Sequence, residues 1–279
     1  MIKSILLAVD GSVFSDSVLQ YGLQCARQFR AILRVLTVID IRIFEWAVAI
    51  GVEGFAPVIP SSTYQEESKK LLDQKADEVL NKTEKILSGQ DAQFSMEKES
   101  GNPVDVICDK ARYVDLVIMG ARGEFARWNA KMLGATLEAT TRLSIKPVMV
   151  VPKDFRPISK ILVAYDGSKN ASKALTLAGH FAASLQTPLD ILNINSSRDT
   201  ADSILSDAVE YLSAYDLPTT EKHIAEGDPA QLIVQTAHQL ADDLIVMGSY
   251  GHSRIREAIL GSTTVQVMRN SDLPILMAR

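Results

Sequence analysis

Apolar positions along the second half of the chain fall into two alternating patterns. KILVAY, 160–165, is a short apolar run of the kind that forms a buried strand. Ala171, Ala174, Leu175, Ala178, Ala182 and Leu185 then recur at spacings of three and four, which places them on one face of a helix. PLDILNI predicts a second strand and DSILSDAVEYLSAY a helix. TEKHIAE predicts a polar, edge-like strand and PAQLIVQTAHQLA a further helix. DDLIVMG, a helix from about Gly261, and PILMA complete the order βαβαβαβαβ. Parallel strands joined by right-handed crossovers must carry helices on both faces, so the class is α/β with an open parallel sheet.

The first half repeats this order. IKSILLAVDGS at 2–12 returns as ISKILVAYDGS at 158–168, and DLVIMGARG at 115–123 returns as DLIVMGSYG at 243–251. The offset between the first pair is longer than that between the second. The first copy therefore holds extra residues between its first strand and its first glycine, and much of the excess falls in the apolar stretch 41–62, with Phe44, Trp46 and Phe55. PKDFRP, 152–157, interrupts regular structure with two prolines and mixed charges. The expected organisation is two tandem domains of five strands each, 1–153 and 154–279.

In open sheets ligands bind beyond the carboxyl ends of the strands where strand order reverses, here the ends of strands one and four of each copy. MGSYGHSRIREAILGST, 247–263, follows the fourth strand of the second copy. Gly248, Gly251 and Gly261 permit φ > 0 and close approach to backbone amides, the helix start supplies free N–H groups, and Ser262 and Thr263 supply hydroxyls. Together they form an anion cradle; read plainly, they are turn glycines and helix caps. Asp10 and Asp166, each in DGS before a helix, carry the same two readings, ligand contact or N-cap.

These motifs resemble the universal stress proteins in their tandem form, an adenine-nucleotide α-hydrolase-like fold. The family signature runs Gly, two residues, Gly, nine residues, Gly, then Ser or Thr, and Gly248, Gly251, Gly261 and Ser262 reproduce it. The resemblance implies ATP as ligand, with Mg²⁺ between its phosphate oxygens. Ala164, Tyr165 and Asp166 would contact adenosine, the backbone at Ile194 the adenine, and Gly251, Gly261, Ser262 and Thr263 the phosphates. Met247, Gly248 and Thr264 complete this candidate set. The resemblance also implies domains paired through their last strands, homodimers of the tandem chain and a role in stress resistance.

The first copy departs from the signature. Ten residues separate Gly123 from Gly134, and Ala135 stands where a hydroxyl is expected. Its candidates are Asp10, Val38, Gly120, Gly123, Gly134, Ala135 and Thr136, with Arg122, Arg127 and Lys131 able to compensate for the missing hydroxyl. The expectation is a strong site in the second domain and a weak or structural one in the first.

Composition narrows the function classes further. A net charge of -5 and a pI near 5.5 provide no basic field for nucleic acid. No apolar run is long enough to span a bilayer, which makes the cytoplasm the expected compartment. Cys25 and Cys108 form no disulfide or metal-ligand pattern and align with Phe181 and Val234, so both read as core positions. His180, His223 and His238 show no ligand spacing, and His252 has no partnered nucleophile, so neither a metal cluster nor a catalytic residue is assigned. The stretch 41–62 reads either as a lid on the first cleft or as a buried interface. A helix over 66–89 presents Leu71, Leu72, Val79, Leu80 and Ile86 on one broad face. HxGH and SGGxDS signatures are absent near the first strands, which argues against nucleotidyl transfer. A nucleotide-responsive regulator with at most slow ATP hydrolysis leads, and a scaffold binding a protein or apolar ligand through the first domain is the alternative.

Overall fold

The computed structural model describes residues 2–42, 62–123, 133–249 and 261–279. The first half runs β1 (Ser4–Ala8), α1 (Ser15–Phe29), β2 (Ile32–Asp40), α2 (Ser62–Leu87), β3 (Phe94–Gly101), α3 (Pro103–Ala111), β4 (Leu116–Gly120), α4 (Ala135–Leu143) and β5 (Val148–Val151). The second half repeats it with β6 (Ile161–Ala164), α5 (Lys169–Leu185), β7 (Leu189–Ile194), α6 (Arg198–Leu212), β8 (Thr220–Ala225), α7 (Pro229–Gln239), β9 (Leu244–Gly248), α8 (Ser262–Asn270) and β10 (Ile275–Ala278).

All ten strands belong to one sheet, in the order β3-β2-β1-β4-β5-β10-β9-β6-β7-β8. Pairing is parallel within each half, and the last strands join the halves through an antiparallel ladder that sets Leu276 opposite Met149. Side chains alternate across this sheet into two cores. Ile5, Leu7, Val35, Ile118, Met149, Val163 and Leu276 face one layer of helices; Leu6, Leu36, Val117, Val150, Leu162, Ile245 and Met277 face the other. Each core runs through the β5–β10 junction without a break.

The segment between the halves is fastened to α1. Gln24 donates from Nε2 to the Ile158 carbonyl at 3.0 Å and accepts the Ile158 N–H at 3.1 Å, and the Tyr21 hydroxyl accepts the Arg156 N–H. The Phe29 and Phe181 rings meet edge to face with centroids 4.9 Å apart, tying α1 to α5.

Three expectations need correction. Helix α6 begins at Arg198, ahead of the apolar periodicity, because the Ser197 hydroxyl caps it by accepting the Thr200 N–H. Leu71 is 65% exposed and does not share the inward face of α2 with the buried Val79 and the partly buried Leu72, Leu80 and Ile86. Cys25 is fully buried, and burial pushes its thiol up to about 12, but Cys108 is only half-buried and belongs to the flank of the core. Residues 43–61, which hold nearly all of the apolar insertion, lie outside the described residues.

Candidate functional site

Strand order reverses beside β1 and β6, and in open sheets the carboxyl ends of the strands at such a point, here β1 with β4 and β6 with β9, are where a ligand binds. In the first half Asp10, Val38, Gly120, Gly123, Gly134, Ala135 and Thr136 all line one cleft of about 370 Å³. Leu36, Ile39, Leu72, Val79 and Met119 make its walls largely aliphatic, and α2 supplies Lys75 beside them. Arg122 also lines it, whereas Arg127 and Lys131 lie outside the described residues. At its rim Arg42 grips Asp40 with Nη2 2.6 Å from Oδ2. Burial works to raise the Asp40 carboxyl, but the hydrogen bonds and charge of Arg42 hold it below its ordinary value.

Neither Asp of the DGS tripeptides is the helix N-cap that the sequence suggested: Phe14 precedes α1 and Ser168 caps α5, and the aspartates close turns instead. Asp10 Oδ1 accepts the Ser12 N–H at 2.9 Å, and Asp166 Oδ1 accepts the Ser168 N–H at 2.9 Å, each closing a local turn ahead of a helix. Asp10 nevertheless lines the cleft, and its Oδ2 stands 2.8 Å from where a Cβ on Gly123 would lie. Between Asp and Ser, Gly11 and Gly167 hold φ of +74° and +77°, which strongly favours glycine. Their recurrence in identical tripeptides is the signal in the sequence that marks them.

The motif glycines are present for different reasons. A Cβ on Gly248 would stand 2.9 Å from the Asn170 carbonyl carbon and 3.1 Å from the Ala171 nitrogen, so this residue lets β9 approach the start of α5. Gly120 does the same for β4, where a Cβ would stand 2.5 Å from Phe14 Cβ. Gly134 and Gly261 precede α4 and α8 with φ of -63° and -59°, so the left-handed freedom expected of them is not used. Neither helix has a side-chain cap, whereas Asn102, Ser168, Ser197 and Asp228 cap α3, α5, α6 and α7. Among the described residues no side-chain acceptor caps the first-turn amides of α4 and α8, which form the positive end of each helix dipole.

In the second half the same topology sets Ala164, Tyr165, Asp166, Ile194, Met247, Gly248, Gly261, Ser262 and Thr263 at strand ends and a helix start. Ser262 is exposed and Thr263 half-buried. Thr264 turns inward, donating to the Gly248 and Ser249 carbonyls, and Met247 packs in the core. The Tyr165 N–H bonds the Leu192 carbonyl, and its own carbonyl accepts from Asn193 Nδ2 at 2.7 Å. Gly251 and His252 lie outside the described residues. Among the described residues no helix is long and apolar enough to cross a membrane.

The model of the universal stress protein family matches residues 1–152 and again 157–279. A universal stress protein of Synechocystis sp. is 33% identical, with 99% of this chain and all of that protein covered. One from Mycobacterium tuberculosis is 25% identical over 99% of this chain and 94% of its own length. Among solved structures, a universal stress protein from Archaeoglobus fulgidus superposes with a TM-score of 0.75 at 25% identity, covering 99% of this chain and 96% of the other.

Proposed function

We propose, because this chain belongs to the universal stress protein family in its tandem two-domain form, that it is an adenine-nucleotide-binding regulator of stress resistance whose ligand is ATP. The observation that carries this reading is the cleft of the first half, where all seven candidates from one copy of the motif meet at the carboxyl ends of β1 and β4 beside the uncapped start of α4. The aliphatic walls suit a base and ribose, and the α4 amides suit phosphate. The second half has the same strand order and the full signature, with Ser262 at the first position of α8 where the first half has Ala135. On that difference the second half is the stronger nucleotide site. Mg²⁺ would accompany ATP through the phosphate oxygens themselves.

Bound ATP acts here by linkage. It stabilises the conformation that accepts it and the surface that conformation presents, and no residue is assigned to hydrolysis. A homodimer in the cytoplasm is part of the same reading. A second reading applies to the first cleft alone: its aliphatic walls favour an apolar or amphipathic ligand, with the second half alone retaining nucleotide.

The test has two steps. Mass spectrometry of whatever the denatured protein releases identifies a carried nucleotide, and ATP titrated into stripped protein should then raise its melting temperature. Ligand at 100 times its dissociation constant adds about 2.7 kcal/mol of stability. Calorimetry supplies the stoichiometry: one tight site with a weaker or absent second is expected, two equal tight sites would remove the asymmetry, and no site would remove the reading.

A further inference from the structure

The end of the sheet opposite the clefts carries an ionisable group of residues in the second half only. Asp190 is the second residue of β7, Glu221 is its register partner on β8, and His223 follows two residues later on the same face of β8. One carboxylate oxygen from each acid and a ring nitrogen of His223 lie within 4.8 Å of one another. His223 Nε2 is 3.2 Å from Asp190 Oδ1, and Lys160 Nζ is 2.6 Å from Asp190 Oδ2. Asp242, just ahead of β9, is 3% exposed and lies beside Asp190, and among the described residues no N–H or hydroxyl donates to its carboxylate oxygens. Its electrostatic neighbours are Asp190, Lys160 and Asp243.

The fold does not require these residues. Matching the registers of the two halves puts Arg34 where Asp190 stands, Ser95 where Glu221 stands and Glu97 where His223 stands. The repeated DLVIMG and DLIVMG put buried Val114 where Asp242 stands. The second half has thus traded an exposed cation and an aliphatic core residue for two buried acids. Burying a carboxylate is costly unless a cation or hydrogen-bond donors compensate. Lys160 compensates one acid, and nothing among the described residues donates to the other.

We propose that Asp190, Glu221 and His223 form a binding site for a divalent transition-type cation of the zinc class, with Asp242 the adjoining buried carboxylate. An imidazole combined with carboxylates is a donor set for such ions, whereas magnesium and calcium prefer oxygen alone. Lys160 holds the cation's place in its absence. Its ammonium also donates to the Leu240 carbonyl at 3.0 Å, so it keeps a partner if a metal takes Asp190.

Zinc ion titrated into chelator-stripped full-length chain and followed by calorimetry tests the site. The expected result is one zinc per chain, with affinity weakened more than about tenfold in His223→Gln and in Glu221→Gln. Glu221 is exposed, so its variant keeps the fold, and His238→Gln serves as the control that leaves affinity unchanged. Absence of saturable binding, or binding indifferent to both His223→Gln and Glu221→Gln, would overturn the proposal and leave the group as an ion pair.

Discussion

Within one glycine-rich motif, neighbouring residues answer to different selective demands, and substitution separates them. Gly248→Ala drives a Cβ into the backbone of α5 and should lower stability by roughly 1–3 kcal/mol, read as a fall in the urea midpoint. Ser262→Ala removes an exposed hydroxyl that makes no hydrogen bond among the described residues, so the same measurement should move by less than about 0.5 kcal/mol. ATP affinity should nevertheless fall by about 1 kcal/mol or more, since the hydroxyl is assigned to phosphate. Equal stability losses in both variants would refute that division. Asp242 gives a pH signature of its own. Its carboxyl is raised from 3.8 to about 7, so the folded chain holds this proton more tightly than the unfolded chain does. Its contribution is fully present below 3.8 and is lost as pH rises through about 7. In metal-free protein, Asp242→Asn should flatten the decline in urea midpoint over that window; an unchanged profile would place the titration elsewhere.

At the level of elements, the starts of α4 and α8 differ by two hydroxyls: Ala135 stands against Ser262, and Leu137 against Thr264, whose hydroxyl is spent on the Gly248 and Ser249 carbonyls. Ala135→Ser should therefore strengthen nucleotide binding in the first half, appearing in calorimetry as a tightened second site at unchanged Tm. Failure to tighten it would favour the apolar ligand for that cleft. The element order was legible because buried parallel strands such as ILVA and LIVMG are uninterrupted apolar runs, and because each half serves as a check on the other. Helix edges were less legible where a polar cap outran the apolar stripe, as Ser197 does at α6. Leu71 was misjudged because a helix as long as α2 carries more leucine than its packed face can take. The glycine spacing could not say that Gly248 answers to Asn170; that depends on how near β9 comes to α5. The Asp190, Glu221 and His223 group was invisible because strand register, and no linear spacing, brings it together.

At the scale of the whole molecule, the β5–β10 ladder makes one cooperative body of two repeated halves. Both cores cross it, Phe29 packs on Phe181, and Arg279 in the second half donates from Nε to the Ser144 carbonyl at 2.6 Å and from Nη2 to the Arg142 carbonyl, at the carboxyl end of α4. A cation there also complements the negative end of that helix dipole. Thermal unfolding should accordingly be a single transition whose calorimetric and van't Hoff enthalpies agree, and two resolved peaks would show that the halves are energetically separate. Dividing the chain exposes the reason. A fragment of residues 157–279 leaves Ile275, Leu276 and Met277 on an unpaired edge and uncovers Phe181, all of them buried in the intact chain. An apolar strand edge with such a flank recruits another strand, and a second copy of β10 can occupy the antiparallel place that β5 leaves. Sedimentation of the fragment should therefore report a dimer, abolished by Leu276→Lys; a stable monomer would mean that the tandem arrangement contributes little to folding.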